Sequence, residues 1–235
     1  MQMKGPATQI AAEPYYWPHD GALDAGSTAL VIIDMQRDFL DPEGYLAFQG
    51  YDIAFGRSII HKLQDLLHIC RGKGMPIYHT REGHRSDLSS LSSRELYRSR
   101  RNPSGLGIGD PGPLGRLLIR GEPGHDIINE LCPLVNEPII DKPGKGAFAN
   151  TDFDLLLRNK GVRNLILCGV TTDVCVHTTM REANDRGYDC LLVEDCCAAS
   201  EENLHHAAVE TVKTEGGIFG AASTSKLVLH ALKAT

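Results

Sequence analysis

The residues most able to do chemistry lie between Gly169 and Met180, in Gly-Val-Thr-Thr-Asp-Val-Cys-Val-His-Thr-Thr-Met. An apolar, strand-like run, Asn164 to Cys168, precedes this segment, and a helix-like run through Arg186 follows it. Cys175 is therefore expected where a strand turns into a helix. A thiol there faces backbone N–H groups with no helical partner and the positive end of a helix dipole. Both favour the thiolate, which is the nucleophilic form of cysteine. The competing reading is a small buried core residue, since free cysteines are among the most buried side chains.

Two further residues bear on that choice. Asp34 ends the apolar run Ala29 to Ile33, and Lys142 follows the short run Glu137-Pro-Ile-Ile-Asp141. Alone, the first reads as a turn or cap residue and the second as a surface charge. Together with Cys175 they place three reactive side chains after three separate strands. In open parallel sheets, ligands bind beyond the carboxyl ends of the strands. The trio suits acyl transfer. The Cys175 sulfur attacks an amide carbonyl, Asp34 relays protons, and Lys142 stabilises the thiolate and orients the carboxylate. Backbone N–H groups around Thr171 and Cys175 are candidates to hold the oxyanion.

The elements that must position these residues can be read from periodicity. Ala29 to Ile33 is short and continuously apolar, as in a strand buried on both faces. Ile53 to Arg71 carries apolar residues at helical spacing and stops at Gly72 and Gly74. Strands are expected at Met75 to His79, Glu137 to Asp141, Asn164 to Cys168 and Cys190 to Val193, with a weak one at Gly217 to Ala221. Helices are expected at Phe153 to Asn159, Val174 to Arg186, Glu201 to Thr214 and from Ser225, with a short piece at Asp126 to Leu131. The alternation predicts a doubly wound, mostly parallel α/β sheet covered by helices on both sides.

Two segments stand apart. Residues 1–28 form an N-terminal arm broken by Pro6, Pro14 and Pro18, ahead of one domain over 29–235. Its Tyr15-Tyr-Trp17 cluster suits packing on the domain or a contact between subunits. Residues 81–113 are rich in Arg, Ser and Gly, long enough to cover a site or to be a solvated excursion with a short helix near Glu95 to Arg100.

The 235 residues carry a net charge of −6, which argues against a nucleic-acid partner. No apolar run approaches the roughly 20 residues of a membrane span, and the first residues lack a signal-peptide core, so a cytoplasmic protein is expected. Seven cysteines with no Cys-x-x-Cys spacing disfavour a disulfide framework or structural zinc. Cys196 and Cys197 suggest no function.

Ile33-Asp-Met-Gln36, Asp141-Lys-Pro-Gly-Lys-Gly-Ala-Phe148 and Gly169-Val-Thr-Thr-Asp-Val-Cys175 together resemble the isochorismatase-like cysteine hydrolase family. The resemblance runs from about residue 28 to 225. It implies a three-layer, Rossmann-like fold, an Asp34-Lys142-Cys175 triad and a cis peptide between Val170 and Thr171 that aims the oxyanion donors. Metal-dependent amidases of similar fold carry Asp-x-His after the second strand. Here that stretch is His79-Thr-Arg-Glu-Gly-His84, so neither metal nor cofactor is expected. Further stretches, among them Gly107-Ile-Gly-Asp-Pro-Gly-Pro113, Arg120-Gly-Glu-Pro-Gly124 and Thr178 to Gly187, resemble the hydrolases of biuret, triuret and ureidoacrylate within the family.

That resemblance implies a small-molecule amide substrate, biuret first, and a homo-oligomer, tetramer or dimer. It implies Phe39 and Phe148 as pocket walls and Lys145 as a ligand for a carbonyl oxygen. Glu215 stands where the biuret hydrolases carry a substrate-contacting glutamine. An ionised Glu only accepts hydrogen bonds, so it favours an N–H-rich substrate end over a carboxylate. The other reading of Glu215 is a solvated helix end.

Overall fold

Thr28–Ile33 (β1) is buried at every position, and so is Asn164–Val170 (β6). Both are apolar on both faces, which only the middle of a covered parallel sheet accommodates. In a computed structural model that describes residues 9–21 and 23–234, these strands pair in parallel over their length, from Thr28 with Asn164 to Ile33 with Gly169. Ile77–Glu82 (β2) pairs with the other edge of β1, and Ile139–Lys142 (β5) pairs with β2. Asp189–Ala198 (β7) and Ala221–Ser223 (β8) extend the sheet beyond β6. The order β5-β2-β1-β6-β7-β8 is all parallel and doubly wound. The chain builds outward from β1 through β2 to β5, then returns to β6 and builds the other way. The crevice at this reversal opens beyond the carboxyl ends of β1 and β6. A two-stranded hairpin, Pro111–Gly112 (β3) with Gly115–Arg116 (β4), closes the end of the long excursion.

Helices flank the sheet. Short pieces, Arg37–Leu40 (α1), Tyr45–Phe48 (α2) and Ala54–Ser58 (α3), lead into Ile60–Gly72 (α4). The single helix expected over Ile53 to Arg71 is thus interrupted at Ile59. The Ser58 hydroxyl donates to the Phe55 carbonyl at 2.7 Å, a local bond that competes with helix propagation. In α4, Ile60, Leu63, Leu66, Leu67 and Cys70 make one buried stripe. Ser93–Ser99 (α5) sits within the excursion, its start capped by Ser92 accepting from the Glu95 N–H. Phe153–Asn159 (α6), His177–Asp185 (α7), Glu202–Lys213 (α8) and Ser225–Ala234 (α9) complete the layers. The Asp126 to Leu131 piece is only a short 3₁₀ turn at Asn129–Leu131.

Three strands differ from expectation. β2 starts at Ile77 and runs to Glu82, three residues past His79, because Arg81 and Glu82 still pair with Asp141 and Lys142. β7 is ten residues long, and its register with β6 slips between Leu167 and Gly169. The last strand begins at Ala221, after Gly216, Gly217 and Gly220 have turned the chain with positive φ.

Of the arm, residues 1–8 lie outside the described residues. Ile10 and Trp17 are buried and bridge one another, and Glu13 bridges Ala222 of β8. Tyr15 donates to Asp189 at 3.2 Å, whereas Tyr16 is 65% exposed. Among the described residues, no helix is long and apolar enough to cross a membrane.

Candidate active site

β1 delivers Asp34 at its end, with φ of 51°, a left-handed conformation uncommon outside glycine. Thr80 of β2 holds this residue: its hydroxyl donates to Asp34 Oδ1 at 2.6 Å, and its carbonyl accepts the Asp34 N–H. Gln36 ties the ends of β1 and β2. Its Nε2 donates to the Glu82 carbonyl at 3.0 Å, and its Oε1 accepts the Glu82 N–H at 2.6 Å. β5 delivers Lys142, fully buried, its Nζ 2.7 Å from Asp34 Oδ2 and donating to the Gly144 carbonyl at 2.9 Å.

β6 ends at Val170, and the peptide between Val170 and Thr171 is cis. A wide π-type turn, Thr172–Val176, carries Cys175 and feeds α7. The Thr171 carbonyl accepts the N–H groups of Val174 and Val176. Those two amides are therefore already engaged within the turn. Cys175 is 5% exposed. Its thiol donates to Glu82 Oε2 at 3.5 Å, and ligand atoms of Asp34, Glu82 and Cys175 all lie within 4.8 Å of one another. Core burial and membership of a reactive cluster hold together for this cysteine.

Glu82 is the residue that sequence reasoning missed. It is 2% exposed, sits 3.6 Å from Lys142 Nζ, and receives Lys145 Nζ at 2.5 Å. Its register partner is Lys142. The signal was available: Glu82 closes a strand as Asp34 does. Ending β2 at His79 hid it.

The site balances two ammonium groups against two carboxylates. Burial opposes the charge on Lys142, but Asp34, then Cys175 and Glu82, outweigh it and hold the ammonium protonated. Burial pushes Asp34 above the usual carboxylate range, with Glu82 adding to it and Lys142 opposing. Burial also presses Glu82 upward, but Lys142 and Lys145 prevail and keep it ionised below its ordinary range. Cys175 is driven well above an ordinary thiol by burial, with Asp34 and Glu82 adding to the effect and Lys142 and Lys145 acting in the opposite sense. The resting sulfur is thus a thiol. The thiolate expected from the helix start is overridden by burial between two carboxylates.

A cavity of about 230 Å³ opens beside the sulfur, lined by Phe39, Tyr45, Glu82, Lys145, Asp173 and Cys175 among others. Phe39 and Lys145 both line it. Phe148 is not in this wall. The chain turns after Gly146 and seats its ring 4.9 Å from Phe153 and 5.9 Å from Tyr188, under the Arg186 guanidinium. Glu215 is not in the wall either. α8 runs back across the sheet and leaves it exposed in the turn before β8, at the opposite end of the strands from Cys175. The long excursion after β2 reaches the site through Glu95, 3.6 Å from Lys145.

His79 and His84 take other partners: His79 Nε2 faces Glu137 at 3.1 Å, and His84 Nδ1 faces the Ser90 carbonyl at 3.2 Å. The Asp34, Glu82 and Cys175 atoms are close enough to hold a cation. Lys142 and Lys145 already supply two positive charges to them, so an added divalent ion meets strong repulsion.

The isochorismatase domain family matches residues 28–224. Among curated relatives, a ureidoacrylate amidohydrolase of Azorhizobium caulinodans is 30% identical over 207 residues, 84% of this chain and 86% of that protein. One from Caulobacter segnis is 29% identical, over 88% of this chain and 87% of that protein. Among solved structures, a cysteine hydrolase from Pseudomonas syringae pv. phaseolicola superposes with a TM-score of 0.78 at 25% identity, covering 99% of both chains.

Proposed function

The chain belongs to the isochorismatase family, and from that premise we propose that it is a metal-independent cysteine amidohydrolase of small, neutral N-carbamoyl amides, with biuret as first choice. The observation that carries the reading is the meeting of Asp34, Lys142 and Cys175 beside one small cavity.

The chemistry is set by the charges. Asp34, raised toward neutrality by burial, takes the Cys175 proton as the sulfur bonds to the carbonyl carbon. The oxyanion forms against the Thr171 and Cys175 amides, a contribution of about 2.7–4 kcal/mol per donor. Asp34 passes its proton to the leaving nitrogen, the C–N bond breaks, and a thioester remains. Water then loses a proton to Asp34 as it adds to the thioester. The C–S bond breaks, and the proton returns to sulfur. From biuret the products are ammonia and allophanate. Lys142 keeps its proton throughout and offsets the charge that passes between Asp34 and the sulfur.

The wall of the cavity supports a neutral substrate. Glu82 and Asp173 line it, Lys145 is its cation, and that cation is already paired with Glu82. A substrate carboxylate is best met by an arginine fork, and the lining contains none. The second reading, a ureidoacrylate amidohydrolase, is favoured by the names of the curated relatives.

Ammonia release from biuret, triuret, ureidoacrylate, N-carbamoylsarcosine and nicotinamide decides between them. Biuret or triuret is expected to lead by kcat/KM. Preference for ureidoacrylate overturns the neutral-substrate reading. Cys175→Ala is expected to abolish release on every substrate while the protein stays folded, and an active Cys175→Ala variant ends the covalent mechanism.

A further inference from the structure

Two carboxylates lie beside the sulfur, and the mechanism uses only one. Both oxygens of Asp34 are engaged, Oδ1 by Thr80 and Oδ2 by Lys142. Glu82 is different. Its Oε1 holds Lys145, and its Oε2 accepts the thiol proton of Cys175. A second ionised carboxylate sealed from water is a costly thing to keep. Its partner on the sulfur is also temporary, because that proton leaves when the sulfur attacks. Glu82 Oε2 then faces the reaction space with the Lys142 ammonium 3.6 Å away, an ion pair too long for a hydrogen bond, in a cavity wall that substrate must touch. A buried acceptor short of a hydrogen bond at that moment raises the barrier, and an N–H placed there lowers it.

We infer that Glu82 is a substrate-binding residue whose Oε2 exchanges the Cys175 S–H for an N–H of the carbamoyl group being cleaved. The inference rests on the cysteine amidohydrolase reading and deepens it. It makes Glu82 a specificity device for carbonyl groups that carry N–H donors, and it couples release of the thiol proton to the presence of such a substrate. The charged groups acting on the sulfur are Asp34 from β1, Glu82 from β2, Lys142 from β5 and Lys145 from the segment after it, and Asp173, on the same turn as Cys175, lines the cavity.

The test pairs a substrate-free measurement with a kinetic one. Iodoacetamide labelling of Cys175 is followed across pH in the wild type, Glu82→Gln and Glu82→Asp, and the same proteins are assayed on biuret. In Glu82→Gln one of the two negative charges beside the sulfur is gone, so the labelling midpoint moves down by about one pH unit. Its kcat/KM for biuret falls about 10- to 100-fold, with a rise in KM. Glu82→Asp keeps the charge and shortens the reach, so its labelling midpoint stays near the wild type while kcat/KM falls. A Glu82→Gln midpoint equal to the wild type, or a KM unchanged in both variants, overturns the inference. Where Glu82→Gln does not fold, an unchanged KM in Glu82→Asp overturns it alone. If the wild type releases no ammonia from biuret, the substrate reading fails separately, and the labelling midpoint still decides whether Glu82 acts on the sulfur.

Discussion

Lys142 Nζ lies 2.7 Å from Asp34 Oδ2, and neither side chain is exposed to solvent. The two residues are 108 positions apart in the chain, and only the pairing of β1 with β2 and of β2 with β5 brings them together. An ion pair sealed in this way adds less stability than its short distance suggests, because both ions lose their hydration. Removing one partner is another matter, since it strands the other.

Lys142→Met is therefore expected to lose about 3–5 kcal/mol at neutral pH, together with turnover. The loss carries a pH signature. Without the ammonium, Asp34, already raised by burial, gains further folded-state proton affinity above its unfolded value, and Glu82 loses one of the two cations that lower it. A group with a raised folded pKa stabilises below its unfolded pKa, and that contribution is lost as pH rises through the folded one. The variant should thus regain stability relative to wild type as pH falls from about 7 to about 5. Urea unfolding at the two pH values checks this, and a gap that widens on acidification contradicts it.

The resting sulfur of Cys175 is held as a thiol by burial and by the carboxylates beside it. Iodoacetamide should accordingly label it only above the range of an ordinary cysteine, whose pKa is about 8.5. The exposed Cys132 provides an internal comparison within the same digest. Mass spectrometry of the two peptides across pH gives both curves. Rapid labelling of Cys175 at neutral pH, with a plateau, would show a preformed thiolate and return Glu82 to a purely structural part.

The strand ends were readable because central parallel strands are apolar without interruption, and the first polar residue past such a strand faces the crevice. Asp34 stands out on that ground, while Lys142 closes the edge strand β5 and Cys175 follows the end of β6 by five residues, so both needed the alternation of strands and helices to be placed. Glu82 did not, because β2 ends in Thr-Arg-Glu, where polar residues hide a strand that continues by backbone pairing with β5. Phe148 and Glu215 show the opposite failure. Each lies near a motif in the chain, but the direction of the main chain after that motif is a tertiary matter. The turn after Gly146 sends Phe148 into the layer beside α6, and the length of α8 carries Glu215 to the far end of the sheet. Proximity in sequence to a reactive residue does not settle which side of the sheet a side chain reaches.

Gly169 admits no larger residue, for two separable reasons. Its φ is 115°, and a Cβ there would fall on the backbone of Ile33 in the adjoining strand, meeting its carbonyl oxygen and amide nitrogen. Gly169→Ala should destabilise by roughly 1–3 kcal/mol or more and reduce activity, because the strand it would displace from β1 carries the Thr171 amide at its end. Gly161→Ala separates the causes. Its φ is 72°, but open space surrounds the added carbon, so only backbone strain acts, at about 1 kcal/mol. Thermal unfolding of the two variants should rank them in that order, and equal losses would mean that the contact with Ile33 relaxes freely.

Lys145 differs from Lys142 in being 42% exposed, at the cavity wall, between Glu82 at 2.5 Å and Glu95 of α5 at 3.6 Å. Only the Lys145 end of the pair is open to solvent, and Glu82 is buried, so Lys145→Met leaves a buried carboxylate with Lys142 alone and should cost more than the about 0–1 kcal/mol of an exposed pair. The effect of Lys145 on turnover belongs to binding. The ammonium is the cation in the wall that can donate to a carbonyl oxygen of the substrate, and it also links α5 to the mouth of the cavity. A hydrogen bond from a charged donor is worth about 1.5–3 kcal/mol, which converts to a loss in kcat/KM of roughly 10- to 150-fold. The loss should fall mainly on KM, since Asp34 and Lys142 are left in place for the chemical steps. Steady-state kinetics on the preferred carbamoyl substrate separates the two constants. A fall in kcat at constant KM would move Lys145 from holding the substrate to holding the transition state.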